Sequence, residues 1–316
     1  MTRASKTSPA AGRSLSLRRG RLHLGERVIE VLLVLAAVVT IATTIGIVVS
    51  LVEPAIEFFR QVSIVEFVTS TSWTPTFSDK HYGVLPLFTA TIISTVIAVS
   101  IAIPLGLGAA IYLAEYASDR SRRLFKPVLE VLAGVPTVVY GFFALFALNP
   151  ILQRFWPGGD RPDFQNLLVA GIVMGFMIIP TVASLSDDAM SAVPHSLREG
   201  AYALASSRMQ VATRVVVPAA VSGIIASFVL AISRALGETM IVTIAGGLSS
   251  QSVKWNPAEA AATMTAYIAN VASGDIPVGT VDYDTVFAVG LLLFIFTFGL
   301  NAISVRLVRR FREVYE

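Results

Sequence analysis

PHSLREGAYALASSRMQVATRVVVP, residues 194–218, connects two long apolar runs, Leu167–Leu185 and Ala219–Ile244. Each flank has the roughly 20 residues needed to cross a hydrocarbon core, so the polar segment between them is a loop held at a membrane surface. Local signals give that loop structure. Ser196 followed three residues later by Glu199 is a capping-box pattern, with Pro194 just ahead at a helix start. Ser207 followed by Gln210 repeats the pattern and predicts a second short helix that stops before Pro218. Leu197, Ala201 and Leu204 share one face of the first helix. The expectation is a helix, a tight turn through Ala205 and Ser206, and another helix: a knob for docking a soluble partner.

Composition agrees with a membrane setting. The chain has 316 residues, 54% hydrophobic and 14% charged, with mean hydropathy +0.72; a soluble domain carries about 25% charged residues. Six apolar segments are long enough to span, at Val31–Val52, Gly83–Ala114, Pro127–Leu148, Leu167–Leu185, Ala219–Ile244 and Thr285–Val305. The expected fold class is therefore all-α, a polytopic membrane protein with six transmembrane helices. Gly83–Ala114 is too long for one straight span and predicts a kink at Pro104 or an approach along one side. Gly134 and Pro136 interrupt the third span, and Pro180 ends or bends the fourth. Gly171 and Gly175 have the small-xxx-small spacing of a close helix contact, a candidate for a seam with a partner subunit.

With no cysteine there is no disulfide framework, thiolate nucleophile or cysteine metal site, and His23, His81 and His195 lie too far apart to suggest metal ligands. A membrane enzyme would need a nucleophile–base pair or a metal cluster, and the sequence offers neither. The absence of a GxxxxGK[ST] run excludes a P-loop for ATP in this chain.

Charge orients the spans. Eighteen Lys/Arg fall on one side: seven before Val28; Arg120, Arg122, Arg123 and Lys126; Arg198, Arg208 and Arg214; and Arg306, Arg309, Arg310 and Arg312. Arg60, Lys80, Arg154, Arg161 and Lys254 are the five on the other. The basic side is expected to be cytoplasmic, with both termini and the 194–218 knob on it. The basic tail 1–27 is not expected to be a cleaved signal peptide, because the first apolar run is long and starts late. Without a globular scaffold or interleaved aromatics it does not suggest nucleic-acid binding. Its charge serves topology or contact with anionic lipid. On the opposite side, Trp73-Thr74-Pro75, Pro157-Gly158-Gly159-Asp160 and Gly247–Asp284 are the main loops. The last is amphipathic in places, notably Ala258–Val271, and is expected along the outer interface or against an outer partner. The tryptophans read equally well as interfacial anchors. Glu130, near the end of its span, reads as a snorkelling structural carboxylate.

The intramembrane chemistry lies in Ser233-Arg234-Ala235-Leu236-Gly237-Glu238-Thr239-Met240. An arginine near the bilayer centre costs about 2.5–3.5 kcal/mol, so Arg234 must face protein or water. Arg234 and Glu238 are four residues apart and on a helix share a face. Two readings stand: a neutral pair bracing helices, or a polar patch lining a path. For an anion, Arg234 would be the attractor, because a guanidinium forks onto tetrahedral oxyanions. Glu238 would hold it and limit tight binding, while Ser233 and Thr239 would add hydroxyl donors.

The 194–218 segment resembles the EAA loop of bacterial ABC importer permeases, the element that seats in a groove on the ATPase subunit. Glu199 and Ala201 match; Gly200 replaces the first Ala; Val215-Val216-Val217-Pro218 matches the ending; Ala205 stands where that family has Gly. The Ala205 departure implies a turn that needs no positive φ, or a slightly altered contact. The run Arg234–Met240 resembles the RALGETM stretch of phosphate-specific ABC permeases of the PstC type. Further similarity lies in Thr71–Pro75, Pro104–Gly108, Gly134–Gly141, Ile179-Pro180-Thr181 and Asp187, and covers nearly everything after residue 28.

The resemblance implies a type I importer permease fold with a core of about 85–305 inside a 28–310 permease domain, between cytoplasmic tails 1–27 and 311–316. It implies a non-catalytic subunit forming half of the translocation path of a phosphate importer in the bacterial cytoplasmic membrane. Glu199, Gly200, Ala201, Ala205 and Pro218 would couple to the ATPase. Its partners would be a homologous second permease, two ATPase copies and an extracytoplasmic phosphate-binding protein. The chain itself would hold no cofactor, ATP and magnesium belonging to the ATPase. Sulfate and molybdate permeases share parts of the pattern. A stand-alone secondary transporter or channel is disfavoured by the absence of internal repeats.

Overall fold

A computed structural model describes residues 24–274 and 276–310. Its contacts divide the chain into two units, Met1–Ser50 and Leu51–Glu316. The first holds the start of α1 (Leu24–Gln61), an apolar helix whose large side chains from Val28 to Val49 are exposed on every face. Its polar side chains are satisfied locally: Thr40, Thr43 and Thr44 donate to the carbonyls of Ala36, Val39 and Thr40 at 2.9, 2.8 and 2.9 Å. Internal satisfaction of this kind is what hydrocarbon demands of a spanning helix.

The second unit is built on α3 (Leu85–Ile111), extended by a π-helical turn at Tyr112–Tyr116, and α7 (Leu167–Ser191). Between the short α2 (Ile64–Thr69) and α3, Trp73 pairs its backbone with Tyr82 in an isolated bridge. Trp73 is not an interfacial anchor: it is fully buried, edge-on to Phe67 and Tyr267. The Tyr82 hydroxyl donates to Asp282 Oδ1 at 3.1 Å, and burial together with that carboxylate pushes its phenol up to about 12.

Helices α3 and α7 approach closely because glycines leave no Cβ between them. A Cβ on Gly171 would stand 2.8 Å from Ile97 Cβ, one on Gly175 2.9 Å from the Ala98 carbonyl oxygen, and one on Gly106 2.6 Å from Val182 Cβ. In lipid, close van der Waals contact of this kind replaces hydrophobic burial as the packing force. The Gly171/Gly175 spacing therefore serves a contact within this chain and does not mark a subunit seam. α7 also runs unbroken through Pro180 to Ser191, correcting the expected end there. Likewise Leu85–Tyr116 is one helical run of 32 residues.

Among the described residues, four helices are long and apolar enough to span, and up to six if each of two bent pairs counts as one span. The first bent pair is α4 (Asp119–Ala133) with the run from α5 (Thr137–Phe143) through a π-helical Ala144–Leu148 to α6 (Asn149–Arg154), turned by 88°. The expected third span, Pro127–Leu148, thus straddles a sharp bend at Gly134–Pro136, where Pro136 supplies the first residue before α5 and no amide for a continuing helix. α4 itself is strongly amphipathic rather than uniformly apolar, with Ser118 capping it through Ser121 N at 3.3 Å.

The 194–218 segment forms α8 (His195–Ala203), α9 (Arg208–Val211), a π-helical Ala212–Val216 and α10 (Val217–Ala219). A 73° bend then leads into α11 (Val221–Leu236). Beyond a π-helical Val242–Gly246, α12 (Met264–Ala272) and α13 (Val281–Arg310) complete the unit. In α12, Met264, Thr265, Ala266, Tyr267 and Val271 are buried, so the stretch packs into the bundle.

Candidate functional site

The Arg234 region departs from the expected helical face. α11 ends at Leu236 with Gly237 as its cap, and helical geometry resumes only at Met240. Arg234 and Glu238 therefore sit on opposite sides of a backbone break, and the expected ion pair between them is not formed. Arg234, half-buried, donates from Nη1 to Thr181 Oγ1 at 3.2 Å, one residue past Pro180 on α7. Glu238 is 9% exposed, and its Oε1 accepts the amides of Met240 and Ile241 at 3.1 and 3.2 Å. It caps the resumed helix, answering amides that have no intrahelical partner. Its own carbonyl accepts the Thr265 hydroxyl of α12 at 2.7 Å. Ser233 donates to Asn301 Oδ1 on α13 at 3.0 Å, and Thr239 to the Gly237 carbonyl at 3.3 Å. Both hydroxyls are thus engaged, whereas the arginine keeps most of its donors free of protein partners among the described residues.

A cavity of about 280 Å³ adjoins Thr181. Its walls, from α4, α7 and α11, are mostly apolar, with Lys126, Glu130, Thr181, Ser184 and Asp187 supplying the polar part. Glu130 faces it without a hydrogen-bond partner among the described residues, as well as a larger, more open cavity lined by Arg122 and Arg123. Asp187, 1% exposed, accepts Arg122 Nη2 at 2.9 and 3.1 Å, and Lys126 Nζ lies 3.7 Å away. The sequence singled out Asp187 without a role and missed Thr181 as the arginine's partner. The paired carboxylates Asp187-Asp188 near the end of an apolar helix are the signal for the first; nothing short of the fold marks the second.

The 194–218 knob is present, with corrected details. Its first helix starts at His195 with Pro194 in the cap position, so Ser196 lies inside the helix and the Ser196/Glu199 capping box is absent. The second box is complete: Ser207 Oγ accepts Gln210 N at 3.3 Å and Gln210 Oε1 accepts Ser207 N at 2.9 Å. Helical structure then continues through Pro218 to Ala219, because the wide π turn ahead of the proline accommodates its ring and missing amide.

The turn at Ala205 does require a positive φ, of 59°. Ala205 N donates to the Tyr202 carbonyl at 2.9 Å and Ser206 N to that of Ala201 at 3.2 Å, the paired bonds of a Schellman ending. Glu199 and Gly200 are exposed, Ala201 packs inward, and Leu204 and Met209 stand 84% and 66% exposed. Leu197, Ala201 and Leu204 therefore do not form one buried face. No cluster of three or more metal-ligating side chains occurs among the described residues.

Broken helices around an intramembrane arginine, with an apolar-tipped helical knob at one end, describe a membrane transport subunit. Comparison with known proteins makes the class specific. The family model described as "Binding-protein-dependent transport system inner membrane component" matches residues 102–313, and the chain belongs to that family, a multi-pass permease of ABC importers. It is 36% identical over 288 residues to a Bacillus subtilis (strain 168) protein described as "Probable ABC transporter permease protein YqgH", covering 90% of this chain and 91% of that one. It is 31% identical over 320 residues to the phosphate transport system permease protein PstC of Mesorhizobium japonicum, covering 96% of each. Among solved structures, a permease chain of a bacterial alginate importer superimposes with TM-score 0.60 at 16% identity, covering 88% of this chain and 96% of that one. A chain of the MetNI methionine transporter, in an inward-facing conformation, gives 0.53 at 16% identity, covering 73% and 95%.

Proposed function

We propose that this chain is the permease subunit of an ATP-driven phosphate importer, forming half of the path and pairing with a homologous second permease. The observation that carries the reading is Arg234: a cation at a helix break, bound to one neutral hydroxyl and to no carboxylate, is available to an oxyanion. Similarity over nearly the whole chain to a curated phosphate permease supports phosphate as that anion. The exposed Leu204 and Met209, with Glu199 beside them, offer a docking surface to a separate ATPase. ATP and magnesium would be bound there, because this chain carries no P-loop. A solved relative crystallised with its periplasmic substrate-bound protein supports delivery by an extracytoplasmic binding protein, here for phosphate. The excess of Lys and Arg in these loops supports an orientation with the knob and both termini in the cytoplasm of a bacterial cell.

Labelled-phosphate uptake tests the reading, in a bacterial host lacking its own phosphate permease and expressing the chain with its second permease, ATPase and binding protein. The expected result is ATP-dependent uptake that resists excess sulfate and molybdate and is lost in Leu204→Asp, Glu199→Lys or Arg234→Ala. Uptake abolished by a competitor would reassign the anion. Uptake indifferent to the ATPase would remove the importer architecture, and uptake intact in Arg234→Ala would remove the arginine from the path.

A further inference from the structure

In α8, Arg198 and Ala201 are the residues that are not exposed. Ala201 contributes a single methyl to the cluster formed by Met190, Val193, Val211 and Val216. Arg198 does far more. Its Nε donates to Glu115 Oε1 at 3.1 Å, its Nη1 to the Val193 carbonyl at 2.6 Å and its Nη2 to the Met190 carbonyl at 2.7 Å. The side chains of the ion pair are 12% and 5% exposed, so neither charge has a ready alternative in water.

The three acceptors lie on two elements. Glu115 sits in the π-helical turn that ends α3, and Met190 and Val193 are at the C-terminal end of α7. A cation there also answers the negative end of the α7 dipole and carbonyls left without intrahelical donors. One guanidinium thus fastens the exposed α8 to both helices of the α3–α7 core. α9 and its π turn join α8 instead to α11, through Val211, Ala212 and Val216.

We propose that Arg198 is the positioning residue that transmits displacement of the docking knob into the spanning helices, with Glu115 as its anchor. The proposal rests on the reading that residues 194–218 seat an ATPase. A push on exposed α8 reaches α7 along the backbone at Val193-Pro194, but that link lies outside both helices and carries no helical hydrogen-bond ladder. The planar fork of Arg198 holds donors in fixed directions on two helices at once, so α8 cannot tilt without carrying them or breaking charge-assisted hydrogen bonds. Lysine carries its donors on one freely rotating nitrogen and cannot reach acceptors on two helices in the fixed directions of the guanidinium.

The test uses the complete complex with ATPase, second permease and binding protein, reconstituted in lipid vesicles, and compares wild type, Arg198→Met, Arg198→Lys and Glu115→Gln. Three quantities are read: ATPase capture by the permease pair, ATP hydrolysis, and phosphate taken up per ATP hydrolysed. The expected result is normal capture and sustained hydrolysis, with uptake per ATP reduced about tenfold or more in Arg198→Met and by smaller factors in the other two. A purely structural brace would lower assembly, hydrolysis and uptake together and leave their ratio unchanged. Wild-type uptake per ATP in assembled Arg198→Met overturns the proposal. If that variant does not assemble, wild-type uptake per ATP in Glu115→Gln overturns it. Failure of the unmodified chain to capture any ATPase would overturn the docking reading instead.

Discussion

Replacing Arg122 should cost more stability than replacing its partner Asp187, although both substitutions break the same pair. Asp187 is 1% exposed, whereas Arg122 and Lys126 are 37% and 38% exposed. In Arg122→Met the carboxylate stays buried, left with Lys126 Nζ at 3.7 Å and Ser191 Oγ at 3.5 Å. In Asp187→Asn the two cations at the rim reach water, and Lys126 keeps Asp188 at 3.0 Å. Stranding a buried charge costs about 3–5 kcal/mol when nothing replaces its partner; with Lys126 and Ser191 near, about 2–3 kcal/mol is expected for Arg122→Met. The neutral amide loses a charge-assisted bond but strands nothing, for about 1 kcal/mol. The double variant should then cost less than the sum, by about 1–2 kcal/mol. Thermal unfolding midpoints of the four proteins, purified in one detergent, read the order directly. An Asp187→Asn midpoint as low as that of Arg122→Met, or strict additivity, would refute the argument that the buried carboxylate dominates.

Other substitutions test other links. Ala205→Gly relieves a left-handed alanine and should raise the unfolding midpoint by an amount equivalent to about 0.5 kcal/mol, the αL relief being partly offset by the freer unfolded chain; a loss of stability would contradict the Schellman geometry. Gly175→Val forces a Cβ to within 2.9 Å of the Ala98 carbonyl oxygen and should destabilise by about 2–3 kcal/mol or abolish accumulation in the membrane, followed by detergent-soluble yield. Glu238→Ala strips the cap from the amides of Met240 and Ile241 and should cost about 1–2 kcal/mol in the same unfolding assay, whereas Arg234→Ala should leave the midpoint nearly unchanged while abolishing uptake.

Hydropathy made the all-helical membrane class legible, because uncharged runs of spanning length have few other uses. It did not locate the breaks, since composition stays apolar across them while the backbone turns. Gly134 and Pro136 did signal the first. At the second, counting four residues from Arg234 to Glu238 assumed an unbroken helix, although Gly237 followed by a residue able to accept amide protons is itself an end-and-restart signal. Ala205 misled in the opposite sense: the side chain suggested ordinary φ, but closing α8 onto Ser206 requires the left-handed region whatever residue stands there. Burial of α12 lay beyond periodicity, because it depends on how α3, α13 and the Val242–Gly246 turn pack against it.

The breaks also explain why Arg234 and Glu238 need not be paired to act together. Arg234 belongs to α11 and is tied to α7 through Thr181; Glu238 is tied by its carboxylate to the helix that follows and by its carbonyl to α12. The segment between them has no continuous intrahelical ladder, so bending there disrupts fewer bonds than bending within α7. Any change of angle at Gly237 therefore alters the distance between the arginine and the carboxylate while leaving each attached to its own body. On an intact helix the same four-residue spacing would fix that distance and hold the guanidinium neutralised. Interrupted by a glycine, it leaves the cation open, as the proposed anion path would require.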